Sequence, residues 1–96
     1  MPEYFEDLKN YLDITFDDDD IDAKLSGICT RAEAYLNKAA GGAVDLTDQS
    51  ALQLLFDCIR YIWSGSLDEF AQNYADDLFM LRANVHADTV NEEDDG

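Results

Sequence analysis

The sequence contains very little of several residue types on which enzymes depend. In 96 residues it has one histidine, one proline and two cysteines. The histidine, His86, lies at the edge of an acidic C-terminal segment, which makes a Cys–His or Ser–His pair hard to place. A glycine-rich phosphate loop and Glu-x-x-His metal pairs are also lacking. We therefore expect no enzyme activity, no metal site and no cofactor.

Basic residues are scarce too. Six lysines and arginines face 22 aspartates and glutamates, for a formal net charge of -16. Proteins that grip DNA or anionic membranes do so with basic surfaces, so we expect this chain to hold neither tightly. Apolar runs stay short of the roughly 20 residues that a membrane span needs. The acidic N-terminus has no signal-peptide pattern, which predicts cytoplasmic synthesis with Cys29 and Cys58 as buried, reduced thiols.

The most apolar stretch is Asp48 to Ser64, and the rest of the chain is interpreted around it. Its polar residues recur every three or four positions and form one narrow stripe along a helix of period 3.6. These polar positions are Gln49, Gln53, Asp57, Arg60 and Ser64. A helix that is apolar nearly all round is covered on several sides, by its own domain or by a neighbouring subunit.

Three further segments have helical periodicity. They span about residues 2–12, 21–39 and 66–85, with Gly41–Gly42 and Ser64–Gly65 as helix ends. Ser66 and Glu69 have the spacing of a capping box. The predicted fold is all-α: a compact bundle of about four helices with a central apolar third helix. We assign residues 1–86 to this domain and residues 87–96 to an acidic disordered tail.

The aspartate run Asp17–Asp20 has two interpretations. As a calcium loop it fails, because Ala23 would stand where glycine is required and Cys29 where a bidentate glutamate is required. As an acidic helix cap it succeeds, since aspartate accepts backbone N–H groups and favours the positive end of the helix dipole. We therefore interpret Asp17, Asp18, Asp19 and Asp20 as the acidic cap of the second helix.

Three segments resemble the phage head–tail connector family, also described as DNA-packaging connectors, in the type found in phages and prophages of Gram-positive bacteria. The first runs from Leu8 to Ile14 and continues through the aspartates into Ile21–Leu25. The second is Arg31–Leu36 before a glycine turn. The third is the apolar helix Leu52–Trp63, followed by Phe70–Tyr74 and Asp77–Arg82. One departure is the turn Ser64–Gly65–Ser66, where many relatives have an aromatic-Glu-Asn-Arg sequence.

The resemblance implies a structural protein of the virion, present in the bacterial cytoplasm before assembly. Family members form a ring under the twelvefold portal protein and extend its channel toward the tail-side completion protein, while DNA passes without tight binding. The implied partners are other copies of the chain, the portal and the tail-side protein, with no membrane. Candidate contact residues are Gln53, Asp57, Arg60, Tyr74 and Arg82.

One alternative stays open. A small acidic helical protein also suits a DNA mimic or an inhibitor of a host protein. A mimic needs carboxylates at phosphate-like spacing over one face, whereas the acids here gather at helix starts and in the tail.

Overall fold

A computed structural model describes the backbone of residues 2–95 and the side chains of residues 2–87. The all-α prediction is confirmed, and no strand occurs within these residues. The number of helices differs from the predicted four, because the described chain has five. They are α1 (Phe5–Tyr11), α2 (Asp19–Ala40), α3 (Gln49–Trp63), α4 (Leu67–Asn73) and α5 (Ala75–Asp95).

The fifth helix arises because the predicted last helix is interrupted at Tyr74. The backbone of Tyr74 has φ -114° and ψ 23°, outside the α-helical region, so α4 ends there and α5 begins at Ala75. The Tyr74 ring stacks on the Phe70 ring, with centroids 4.7 Å apart, and meets Tyr61 edge-on at 5.6 Å. The break between α4 and α5 therefore occurs where Tyr74 makes tertiary ring contacts, which the local sequence pattern does not predict.

The ends of α2 and α3 follow from particular residues. The Asp18 carboxylate accepts from the backbone N–H groups of Asp20 and Ile21, at 2.9 and 3.3 Å, and starts α2. Asp48 starts α3 in the same way, accepting from the Ala51 N–H at 3.1 Å. A glycine with positive φ follows each helix: Gly41, at 77°, comes directly after α2, and Gly65, at 75°, comes two residues after the last residue of α3. In both cases the residue after the glycine donates its backbone N–H to a carbonyl five positions earlier: Gly42 to Asn37, and Ser66 to Tyr61. These hydrogen bonds satisfy carbonyl groups at the helix ends.

The long helix α2 lies against both α3 and α5, and α4 joins α3 to α5. One continuous core results, and α3 contributes six buried residues to it. The residues with no more than 1% exposure are Leu8, Leu25, Cys29, Ala32, Leu36, Leu55, Cys58, Ile59 and Phe70. The two cysteines are free and buried, as the sequence predicts.

Helix α1 is fastened to this core at two points. Phe56 of α3 lies between Tyr4 and Tyr11, with ring centroids 5.7 and 5.6 Å away. Lys9, which is buried, places its Nζ 3.0 Å from an Asp22 carboxylate oxygen and 3.6 Å from Asp17. The first contact joins α1 to α3, and the second joins it to the start of α2.

The predicted tail falls largely outside the described side chains. Helix α5 continues to Asp95, so its backbone includes most of residues 87–96. Side chains from residue 88 onward and all of Gly96 lie outside the described residues. The division of the chain into 1–86 and 87–96 stays a prediction.

Candidate functional site

The polar stripe of α3 meets tyrosines from α1 and from the α4–α5 junction. Asp57 is the centre of this arrangement, because its Oδ1 accepts two hydrogen bonds. One comes from the Tyr11 hydroxyl, and the other comes from Gln53 Nε2 at 3.2 Å. We call Tyr11, Gln53, Asp57, Arg60 and Tyr74 the α3 polar cluster. The structure thus brings together four of the five candidate contact residues.

Arg60 occupies the outer part of the α3 polar cluster. Its side chain is exposed and lies beside the hydroxyls of Tyr11 and Tyr74. The guanidinium carbon is 5.3 Å from the centroid of the Tyr61 ring, within the range of a cation–π contact. Among residues 2–87, ion pairs within 4 Å involve only Lys9, so the Arg60 charge has no carboxylate partner there.

The α3 polar cluster rests on a group of aromatic rings. Phe70 is fully buried, and the centroids of Tyr35, Tyr61 and Tyr74 lie within 6.0 Å of it. Asn73 Nδ2 donates to the Tyr61 hydroxyl at 3.2 Å. These contacts fix the positions of the phenol groups and leave their polar ends at the surface.

The tyrosines of the cluster remain neutral hydrogen-bond donors near neutral pH. Partial burial raises the pKa of Tyr11, and the hydrogen bond to Asp57 raises it further. Burial also raises the pKa of Tyr74, with the nearby Asp57 charge acting in the same direction. The cluster therefore combines phenol hydroxyls, an amide, a carboxylate and a guanidinium on one surface.

Arg82 lies elsewhere. It lines a cavity of about 160 Å³ beside the C-terminal end of α2, together with Ala40, Gly41, Val85 and His86. No other member of the predicted contact set lines this cavity. The cavity that Arg82 lines therefore has no lining residue from the α3 polar cluster.

The four aspartates of the predicted cap take different positions. Asp18 is the N-cap of α2, Asp19 and Asp20 occupy its first turn, and Asp17 faces Lys9. All four are exposed. Within residues 2–87, no group of three histidine, cysteine or acidic side chains is arranged to hold a metal ion.

Neither Tyr11 nor Tyr61 is among the contact residues predicted from the sequence. A signal was present in the residue type: tyrosine, unlike phenylalanine, is suited to positions where one end of the ring is buried and the other is wet. What the pattern could not show is the partner of each hydroxyl. Tyr11 and Asp57 are 46 positions apart in the chain.

The arrangement suits recognition of a protein surface. Tyrosine and arginine are enriched among the residues that dominate protein–protein binding, because they combine large apolar area with directional hydrogen bonds. None of the helices in the described part of the chain is long and apolar enough to cross a membrane. Comparison with protein-family models, curated proteins and solved structures found no match to this chain.

Proposed function

We propose that this protein is a head–tail connector subunit of a tailed bacteriophage or prophage. In this proposal, copies of the chain form a ring under the portal protein, twelvefold to match its symmetry, and contact a tail-side completion protein on the other side. DNA passes through the ring without being held. The protein is structural and resides at the head–tail interface of the virion after assembly from the bacterial cytoplasm.

The observation that carries the proposal is the acidic surface. All acidic side chains within residues 2–87 are exposed except those of Asp22, Glu33 and Asp57, which are partly buried. Basic surfaces trap DNA by releasing its counterions, whereas an acidic wall repels the phosphates. A passage lined in this way lets DNA move and still excludes it from the protein surface.

The α3 polar cluster supplies the proposed subunit or partner contact. It is the place where tyrosine and arginine side chains converge along the polar stripe of α3. A ring needs contacts that are directional as well as adhesive, because the angle between neighbours must close the circle. Hydrogen bonds through Asp57 and Arg60 provide that direction.

The placement of the acids favours the connector over a DNA mimic. Acidic residues occupy the first turns of α1, α2, α4 and α5, where the positive end of each helix dipole stabilises them. Asp18 and Asp48 are helix caps. Stabilisation of helix starts therefore explains most of the acidic positions. No resemblance to the phosphates of DNA is needed to explain them.

Co-purification tests this function. The chain would be produced together with the portal protein encoded in the same genome and isolated through a tag on the portal. We expect wild-type protein to be retained, and Arg60→Ala to weaken retention about tenfold, equivalent to about 1.4 kcal/mol. Lys38→Ala is the matched control, an exposed cation on α2 outside the cluster, and is expected to bind like wild type.

Folding of each variant is checked by circular dichroism and urea unfolding. Failure of the wild-type chain to bind the portal would contradict the connector function. Recovery of a host DNA-binding protein in its place would support the mimic.

A further inference from the structure

An open groove runs between the first half of α2 and the C-terminal end of α3. Its volume is about 450 Å³. We call it the α2–α3 groove. It is lined by Ala23, Lys24, Gly27, Ile28, Arg31, Ile62, Trp63, Ser64 and Gly65.

The groove has the opposite charge to the rest of the molecule. Two of the six basic residues of the chain, Lys24 and Arg31, line it, and no acidic residue does. Neither cation has a carboxylate within 4 Å among the described residues. Lys24 Nζ lies 5.2 Å from the centroid of the Trp63 ring. On a chain of net charge -16, this is a surface where another acidic molecule meets attraction.

The floor of the groove is apolar and open. Ile62 and Trp63 are only partly buried. A Cβ atom added at Gly27 would meet nothing within 4 Å, so the domain's own packing makes no use of this glycine. Glycine within a helix costs about 1 kcal/mol relative to alanine. Its position in the groove leaves room for the close approach of another chain.

A complementary surface is present on α5. Phe79 and Met80 are 72% and 57% exposed, the two highest values among the large hydrophobic side chains in the described residues. Asp76 and Asp77 lie one helical turn before them and are also exposed. We call these four residues the α5 patch. It joins two apolar side chains to two carboxylates, which matches Trp63 and Ile62 beside Lys24 and Arg31.

We propose that the α5 patch of one copy docks in the α2–α3 groove of a second copy. The inference rests on the proposed ring, and it assigns a second contact between neighbouring subunits, on surfaces other than the α3 polar cluster. The two surfaces belong to different helices, so the contact is head-to-tail, the type that generates rings when the rotation closes. Duplex DNA is a poorer occupant, because its phosphates are repelled by the remaining acidic surface.

Cross-linking between two variants of the full chain, each with one introduced cysteine, tests the contact. Ala23→Cys labels the groove and Ala83→Cys labels α5 one turn after Phe79 and Met80; both positions are exposed. Because Cys29 and Cys58 are buried, a short bis-maleimide reacts at the introduced thiols. We expect the mixture, at low salt, to give the Ala23–Ala83 heterodimer about tenfold above the product of the matched control Ala34→Cys, exposed on α2 outside the groove lining.

Charge reversal sharpens the test. Lys24→Glu with Arg31→Glu in the groove-labelled chain is expected to lower the yield about tenfold, and Asp76→Lys with Asp77→Lys in the α5-labelled chain is expected to restore it. Equal yields for Ala23→Cys and Ala34→Cys, or no response to charge reversal, would overturn the contact. Loss of the cross-link on adding duplex DNA would identify DNA as the occupant and also overturn it.

Failure of this contact is distinguishable from failure of the proposed function. A chain that joins the portal as a ring but gives no groove-specific cross-link retains the connector function and loses this inference. A groove-specific cross-link in a chain that never binds the portal supports the contact and counts against the connector.

Discussion

Phe70 is the residue on which the packing of the C-terminal half depends most. It is fully buried in α4, a helix of only seven residues, and contacts tyrosines from α2, α3 and the α4–α5 junction. A short helix of this kind gains little from its own backbone hydrogen bonds, so its stability comes from the side chain it buries.

Phe70→Ala is expected to lower the free energy of unfolding by about 3–5 kcal/mol, because it removes the ring and leaves a cavity among three tyrosines. Phe79→Ala is the matched control on α5, where the ring is 72% exposed, and is expected to change stability by less than about 0.5 kcal/mol. Urea unfolding followed by circular dichroism measures both. Similar losses for the two variants would show that Phe70 is not the anchor.

The two thiols are predicted to be inert in the folded protein. Burial raises the pKa of Cys58 to about 12 and also raises the pKa of Cys29. Since the thiolate is the reactive form, labelling with iodoacetamide at pH 8 is expected to be about a hundredfold slower in native buffer than in urea. Rapid modification of the native protein, followed by mass spectrometry, would contradict the burial of these residues.

Residue-level sequence reasoning succeeded where burial follows helical periodicity and failed where it depends on a distant partner. The buried cysteines follow from helical spacing. The burial of Lys9 does not, since it requires Asp17 and Asp22 to approach from the start of α2. No local pattern reports that approach.

At the level of elements, the start of α2 is set by its acidic cap. Asp18 alone accepts the orphan N–H groups, while Asp19 and Asp20 interact with the helix dipole. The aspartates that were candidates for a single role therefore divide into one hydrogen-bonding residue, two dipole partners and one ion-pair partner of Lys9.

Asp18→Ala is expected to lower the free energy of unfolding by about 0.5–2 kcal/mol, because two backbone donors lose their acceptor. Asp19→Ala, next to it and also exposed, is expected to lose only the dipole interaction, about 0.3–1 kcal/mol at low salt. Added salt should shrink the effect of Asp19→Ala more than that of Asp18→Ala. Thermal unfolding in low and high salt distinguishes them, and equal losses in both conditions would refute the assignment of Asp18.

The break between α4 and α5 marks the limit of element prediction. The sequence from Leu67 to Val85 has a continuous helical period, and nothing in it resembles a glycine or proline stop. The capping box predicted at Ser66 is also absent, because the Ser66 hydroxyl donates to the Tyr61 carbonyl at 3.4 Å and makes no cap bond to α4. Both differences come from how the end of α3 packs against the next helix, which a period of 3.6 does not encode.

For the whole molecule, burial of titratable groups predicts a loss of stability in alkali. Burial raises the pKa of Cys29 and Cys58 above 9.0 and the pKa of Tyr11, Tyr35 and Tyr74 above 10.0. The hydrogen bond to the Asp22 carboxylate, opposed by burial, raises the pKa of Lys9 above 10.5. The unfolded chain therefore releases these protons first, and the free energy of unfolding falls as pH rises.

Stability is expected to be level up to about pH 8 and to decline from about pH 9 upward, starting with the thiols. Urea unfolding at one-unit intervals from pH 7 to pH 11 measures it. The double variant Cys29→Ala/Cys58→Ala is less stable overall but should stay level up to about pH 10, where the tyrosines begin to titrate. A free energy that does not change over the whole range would contradict the burial of these groups.

The proposed ring depends on three features of the molecule: the acidic surface, the α3 polar cluster and the α2–α3 groove. Electron microscopy with symmetry averaging of the portal purified together with this chain tests it most directly. We expect a ring of added density under the portal, with twelve copies and a channel continuous with that of the portal. Portal particles without added density, or with the chain bound away from the channel axis, would contradict it.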